Sequence, residues 1–269
     1  MLIDTHCHLD AAEFDSDRAE VLSRARAQGV FAQIIPAVAF ESWTALRDLC
    51  RSEDDLFPAY GLHPMYLDRH APEHLDRLAL WIEREKPCAV GECGLDFFVE
   101  GLDPDRQRRY FIRQLEIARE FDLPVILHAR RALDEVILAL RRIGELRGVV
   151  HSFSGSAEQA RQLWALGFHV GIGGPVTYDR AKRLRDLVAH LPIEQLLLET
   201  DSPDQPTAAH RGQRNQPSRL CEVAQTVAQL RDIDLPTLAV ATTRNARALF
   251  RLGELGAGRA SAPPSGPCA

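Results

Sequence analysis

Two histidines one residue apart, His6 and His8, open the chain. On an extended segment side chains alternate, so both rings point the same way and their nitrogens can converge on one ion. Such a pair alone reads as well as two histidines in a half-buried strand. Later residues answer it: His63, Glu92, His128, His151 and Asp201 each stand at or just past the carboxyl end of a different short apolar run. Imidazoles and carboxylates without thiolates are donors for Zn, Mn, Fe or Co, or for Mg where carboxylates carry most of the load. The set His6, His8, Glu92, His128, His151 and Asp201 exceeds what one tetrahedral catalytic zinc needs. It predicts two divalent ions (Mg, Mn, Zn or Fe) about 3.5–4 Å apart with a carboxylate shared between them. Glu92 is the expected bridge, because its run falls between those of His6/His8 and of His128/His151. His6, His8 and Asp201 then hold one ion and His128 and His151 the other. A metal-activated water is the expected nucleophile, with Asp201 placed to accept its proton.

Each residue also has a structural reading. Glu92 sits in Val90-Gly91-Glu92-Cys93-Gly94, where an unpaired charge is costly, so a structural ion pair competes with ligation. Asp201 also suits a loop cap, and His128 or His151 alone suits a satisfied core histidine. Their shared placement favours ligation. Cys7, between the two histidines, points the other way and is assigned to packing. His70, His74, His190 and His210 fall in helical or loop contexts and are expected to be exposed.

The elements that must position these groups alternate regularly. Short runs rich in Val, Ile and Leu span 2–9, 31–38, 57–62, 89–95, 125–128, 149–153, 169–173 and 196–200. Amphipathic helical patterns such as 17–28, 106–120 and 157–166 lie between them. Eightfold strand–helix alternation closes most economically into a single (β/α)8 TIM barrel, in which the carboxyl ends of the strands meet on one face. Helical stretches at 217–232 and 236–250 are expected as extra C-terminal helices outside the barrel. No linker-like segment interrupts residues 1–252, which are read as one domain. Residues 253–269, rich in Gly, Ala, Pro and Ser, are expected to form a disordered tail.

Bulk composition narrows the class. The chain has 269 residues, 45% of them hydrophobic, which is ample for a core. A net charge of -6 argues against holding nucleic acid by bulk electrostatics, so a polyanionic substrate needs metal or local arginine. Six cysteines occur without a CxxC pair, so neither a zinc ribbon nor a disulfide framework is indicated, and reduced thiols in the cytoplasm are expected. The first residues show no signal-peptide pattern and no apolar run is long enough to span a membrane, so no membrane association is expected. No obligate protein partner is evident.

Six dispersed motifs carry a family resemblance: Ile3-Asp4-Thr5-His6-Cys7-His8-Leu9, Gly61-Leu62-His63-Pro64, Gly91-Glu92-Cys93-Gly94-Leu95-Asp96, Pro124-Val125-Ile126-Leu127-His128-Ala129-Arg130, His151-Ser152-Phe153-Ser154-Gly155 and Leu198-Glu199-Thr200-Asp201-Ser202-Pro203. Asn215 and Pro217 follow just beyond. In this order the chain resembles the TatD family of metal-dependent deoxyribonucleases, within the amidohydrolase-like barrels. The resemblance implies metal-ligand roles for the six residues above, a substrate contact for His63, and phosphodiester hydrolysis of DNA, often from the 3′ end. Asn215 is grouped with the substrate contacts on the same ground. The chain departs from the pattern at Arg131, which follows Arg130 where many relatives carry an acidic residue.

Arg130 suits a phosphate through its planar fork, and Arg211 and Arg214 either extend that binding or stay solvated in surface ion pairs. Ser152 and Ser154 suit either phosphate binding or helix capping. Trp43, Trp81 and Trp164 fall in helical patterns and are assigned to packing, while Tyr66 and Phe98 are nearer a terminal base. The expected substrate is a DNA end or a small phosphodiester. Two other functions use the same residues: a metal-dependent deacylase or amidase on a nucleotide-linked or peptidic substrate, and a non-catalytic metal-binding scaffold.

Overall fold

Strands β1 (Leu2–Asp4), β2 (Val30–Pro36), β3 (Leu56–Tyr60), β4 (Ala89–Asp96), β5 (Val125–Arg130), β6 (Gly148–Val150), β7 (Phe168–Ile172) and β8 (Leu196–Leu198) form one sheet in chain order in the computed structural model, which describes residues 1–253. Helices α1 (Arg18–Ala27), α2 (Trp43–Ser52), α3 (Glu73–Glu85), α4 (Pro104–Glu120), α5 (Leu133–Ile143), α6 (Ala157–Ala165) and α7 (Lys182–His190) fall between successive strands. Thr5 N–H donates to Leu198 O at 3.0 Å and ties the last strand to the first. Sequential parallel strands with helical crossovers and this closing bond are the (β/α)8 barrel. The two expected C-terminal helices are α8 (Leu220–Leu230) and α9 (Leu235–Phe250). The tail expected over 253–269 lies, from residue 254 onward, outside the described residues. No helix among the described residues is long and apolar enough to cross a membrane.

The chain divides into two compact units, residues 1–34, 54–56 and 171–253 in the first and 35–53 and 57–170 in the second. In the first, α9 packs on β1 and β8. Its Asn245 amide donates to Ile193 O and Leu196 O at 2.8 and 3.0 Å, and Asp234 caps its start through Thr237 N–H. In the second unit, α4 begins with Asp103 at the cap and Pro104 in the first turn, where the missing N–H costs nothing.

Helix α4 carries Gln107 and Gln114 seven residues apart, on one face. Gln107 accepts from Asp96 N–H at 2.7 Å and donates to Asp96 O at 2.8 Å. Gln114 does the same for Leu62, at 2.7 and 3.1 Å. Each amide supplies one donor and one acceptor to a backbone position at the carboxyl end of a strand, and so fixes the residues that follow.

Gly94 is a strict requirement. It pairs with His128 across β4 and β5 and has φ +145°, and a Cβ there would lie 2.0 Å from His128 O. Replacing Gly94 with Ala is expected to destabilise the protein by more than about 3 kcal/mol, from backbone strain added to overpacking. Urea unfolding measures this, and a loss under about 1 kcal/mol would contradict the close approach.

Candidate metal centre

Each unit gathers its own donors. In the first, the expectation that β1 continues to residue 9 is corrected: the ladder ends at Asp4, because Thr5 N–H turns to Leu198 O and Cys7 N–H to Ile34 O. The histidine rings converge nonetheless. His6 Nε2 and His8 Nε2 are 3.2 Å apart, and Asp201 Oδ1 lies 3.6 and 3.7 Å from them. Backbone bonds hold these loops together, from Asp201 N–H to His6 O at 2.8 Å and from His8 N–H to Ser202 O at 2.7 Å. Beneath them Asp4 is wholly buried and accepts from Thr200 N–H and Oγ1–H at 3.0 and 2.6 Å. Burial pushes Asp4 up to about 7 against the pull of those hydrogen bonds. Asp201 itself has φ +54°, a left-handed conformation that Asp tolerates better than most residues.

In the second unit Glu92, in the middle of an eight-residue strand that is buried throughout, is 1% exposed. Its Oε1 lies 2.9 Å from His63 Nε2, 3.1 Å from His128 Nδ1 and 2.9 Å from His151 Nε2. His128 Nδ1 and His151 Nε2 are 3.2 Å apart. Donors bound at 2.0–2.2 Å to one ion sit roughly 2.8–3.6 Å from one another in tetrahedral or octahedral shells. The Glu92–His128–His151 triangle fits that spacing, and the His6–His8–Asp201 triangle is only slightly wider. Both sets therefore fit a divalent cation in spacing and in donor chemistry.

His63 differs from its neighbours in protonation. Met65 N–H donates to His63 Nδ1 at 3.2 Å, so Nε2 carries the ring proton and donates to Glu92 Oε1. Burial pushes the pKa of His63 down to about 4, so the ring stays neutral and orients Glu92. His128 turns Nδ1 to the cluster and Nε2 to Asp96 Oδ2, at 2.8 Å. Burial opposes charge on both partners. The hydrogen bonds prevail, raising His128 and, with the amides of Val99 and Phe98, holding Asp96 at about 2.

Asp96 and Glu199 are functional candidates to which the residue pattern assigned no role. Asp96 shares a strand face with Glu92 and Gly94 by the period of two, and that is the signal that could have found it. Glu199 is fully buried at the end of β8, and a Cβ on Gly171 would lie 2.1 Å from its Oε2, so glycine there makes room for the carboxylate. Arg130, the last residue of β5, lies two positions past His128 and is exposed. Asn215 is buried in the first unit, its amide donating to Thr200 O and Gln205 O at 2.9 and 3.2 Å and its Oδ1 accepting from Gln216 N–H, so it braces the loop around Asp201.

Arg214 forms an ion pair with Asp17 at 2.7 Å, the surface reading of the two weighed for it. Helix α6 starts from a capping box of Ser156 and Gln159. The exposure expected of His70 is overturned: it is buried, with Nε2 donating to His63 O at 3.0 Å. His74 and His210 are half-buried and His190 is exposed. Cys7 is buried with its Sγ 3.6 Å from Gln33 Oε1, as packing requires.

The sequence model of the family described as TatD related DNase matches residues 3–251. An Escherichia coli K12 protein named uncharacterized metal-dependent hydrolase YjjV is 41% identical over 253 residues, covering 93% of this chain and 98% of that one. The 3′-5′ ssDNA/RNA exonuclease TatD of Erwinia tasmaniensis is 35% identical over 261 residues, covering 93% of this chain and 100% of its own. Among solved structures, the TatD homologue YJJV of Escherichia coli K12 superposes with a TM-score of 0.90 at 40% identity, covering 94% and 98% of the two chains. A TatD-family hydrolase from Entamoeba histolytica, at 21% identity and a TM-score of 0.80 over 92% of this chain and 97% of its own, shares the fold. With the match running through every motif that carries a donor, the chain belongs to the TatD family of metal-dependent hydrolases.

Proposed function

We propose that His6, His8, Glu92, His128, His151 and Asp201 together hold two divalent cations (Mg, Mn, Zn or Fe), with Glu92 as the bridging carboxylate, and that the protein hydrolyses phosphodiester bonds at DNA ends from the 3′ side. The observation that carries this is the Glu92–His128–His151 triangle, two buried donors and one half-buried, with edges of 2.9–3.2 Å. Two bound cations supply Lewis acidity and lower the pKa of a water to near neutrality.

The chain's own residues do the rest. Asp201 accepts the proton of the attacking water at a carboxylate oxygen, and Asp96 and His63 orient His128 and Glu92. Arg130 binds a phosphate oxygen through its fork. His63 remains a proposed substrate contact, whereas the substrate contact expected of Asn215 gives way to a positioning role, since its buried amide is committed to the loop around Asp201. The relative named as a 3′-5′ ssDNA/RNA exonuclease supports a nucleic-acid end as substrate. The net charge of -6 supports action on an end or a small diester over a grip on long duplex. Residues 1–252 are proposed to act as one hydrolase domain in the cytoplasm, in keeping with five free cysteines among the described residues.

Digestion of end-labelled single strands should release mononucleotides, and efficient cutting of covalently closed circles would contradict an end-directed enzyme. Glu92→Gln is expected to abolish turnover and to lower the content of both ions in protein purified without chelator; near wild-type activity with metal present would remove the bridge. Asp96→Asn keeps Oδ1 for the loop amides but loses the acceptor for His128 Nε2–H. Metal affinity should therefore fall by about 10–100-fold with the melting temperature little changed, and an unchanged metal titration would reduce Asp96 to a loop cap.

A further inference from the structure

A cationic cluster stands one step beyond the donors of the second unit, and no role in metal binding uses it. Arg131 follows the last residue of β5 and has φ +54°, one of the left-handed positions at strand ends. Arg130 Cζ lies 3.6 Å and Arg131 Cζ 4.6 Å from the centroid of the Phe98 ring, which is 43% exposed. Two guanidinium groups thus share one aromatic support. Cation–π attraction offsets part of their mutual repulsion. No carboxylate completes the balance: among the described residues neither arginine forms an ion pair. The acidic residues in the first turn of α5 are engaged elsewhere, Glu135 with Arg108 at 2.5 Å and Asp134 with the Gln159 amide at 2.6 Å.

The cluster is also fixed in place. Asp96 pairs with Arg130 across β4 and β5, and its Oδ1 accepts from Phe98 N–H and Val99 N–H at 2.9 and 3.0 Å while its Oδ2 accepts from His128 Nε2–H. Phe97 N–H donates to Arg130 O at 2.9 Å. One carboxylate therefore positions both a metal-ligand candidate and the ring that carries the two arginines. His128 and Arg130 share a strand face, about 6.6 Å apart along β5, which is comparable to one nucleotide step of an extended strand.

We propose that Arg130 and Arg131, seated on Phe98, form an anion subsite that takes a second phosphate of the substrate, next to the scissile one. The preferred substrate class is then a nucleic-acid end carrying at least two phosphates. Two planar forks with uncommitted donors suit the oxygens of a phosphoryl group, and their charge is uncompensated until that group arrives. The inference rests on the phosphodiesterase reading and narrows its substrate.

The test compares kcat/KM of the metal-loaded full chain on the dinucleotides pTpT and TpT, which differ only in a 5′-phosphate beside the scissile diester. The wild type should favour pTpT by about tenfold or more. Arg130→Gln and Arg131→Asn, the latter chosen because Asn tolerates a left-handed backbone, should each lower that ratio, and the double variant should bring it near unity. In parallel, binding of a phosphorothioate oligothymidylate followed by fluorescence anisotropy should lose about 0.7 from its log–log salt slope per arginine removed. A wild-type ratio near unity, or a ratio retained in the double variant, overturns the subsite.

If the wild type cleaves neither dinucleotide, the phosphodiesterase reading fails by itself. Calorimetric titration with thymidine 3′,5′-bisphosphate then decides the subsite. At least about tenfold weaker binding in the double variant supports it, and equal binding refutes it.

Discussion

A carboxylate buried in a strand must be matched locally or it will not stay ionised, and the second unit is organised around meeting that demand for Glu92. Removing such a group from water costs several kcal/mol. Three histidine nitrogens lie within 3.1 Å of Glu92 Oε1, and the Nε2–H of His63 donates to it. Those rings must in turn be held, since an imidazole satisfies a buried anion only from a fixed direction. His63 is set by Met65 N–H and His128 by Asp96, and His70 supports the backbone of His63 from behind. The chain of dependence runs outward from one carboxylate to imidazole rings, then to a second carboxylate, and ends on backbone amides.

The loops that carry this network have little regular structure, so their positions come from side chains. Gln107 and Gln114 of α4 grip Asp96 and Leu62, each by both backbone groups. Asn215 and Asp4 act likewise on the Thr200–Asp201 loop of the first unit. Buried amides and carboxylates thus replace the missing ladder bonds just where strands end, which is where a barrel presents its chemistry. Rigidity at these points suits ligation, because donors misplaced by an ångström do not share an ion. Gly94 and Gly171 belong to the same design, since the close approach of β5 and the Glu199 carboxylate leaves no space for a Cβ.

The proposed phosphodiester substrate would ask for positive charge beyond the metal donors. A protein of net charge -6 can offer it only locally. The paired guanidinium groups on Phe98 are such a local charge, and Asp96 links the Phe98 loop to His128. Arg214, by contrast, is neutralised by Asp17. Arginines of loops in the same chain can therefore have opposite fates, decided by whether an acid stands within reach.

Read alone, the residue pattern determined the eightfold alternation, the helices after the last strand and the donor types, because burial on both faces writes itself as continuous apolar runs and a polar residue ending such a run is conspicuous. Glu92 was legible as a charge inside such a run and not at its end, and Asp96 and Glu199, which do stand at strand ends, obeyed the rule without being assigned. Strand ends were less legible: β1 stops at Asp4 and not at residue 9, because hydrogen bonds from Thr5 and Cys7 to different neighbours break a ladder that the local pattern would continue. Tertiary structure alone decided which nitrogen of His63 and His128 faces Glu92, that His70 is buried, that Asn215 braces a loop, and that Arg130 and Arg131 share one ring. Each of these depends on a partner distant in the chain, and side-chain direction is fixed by the partner it meets, not by its place in the sequence.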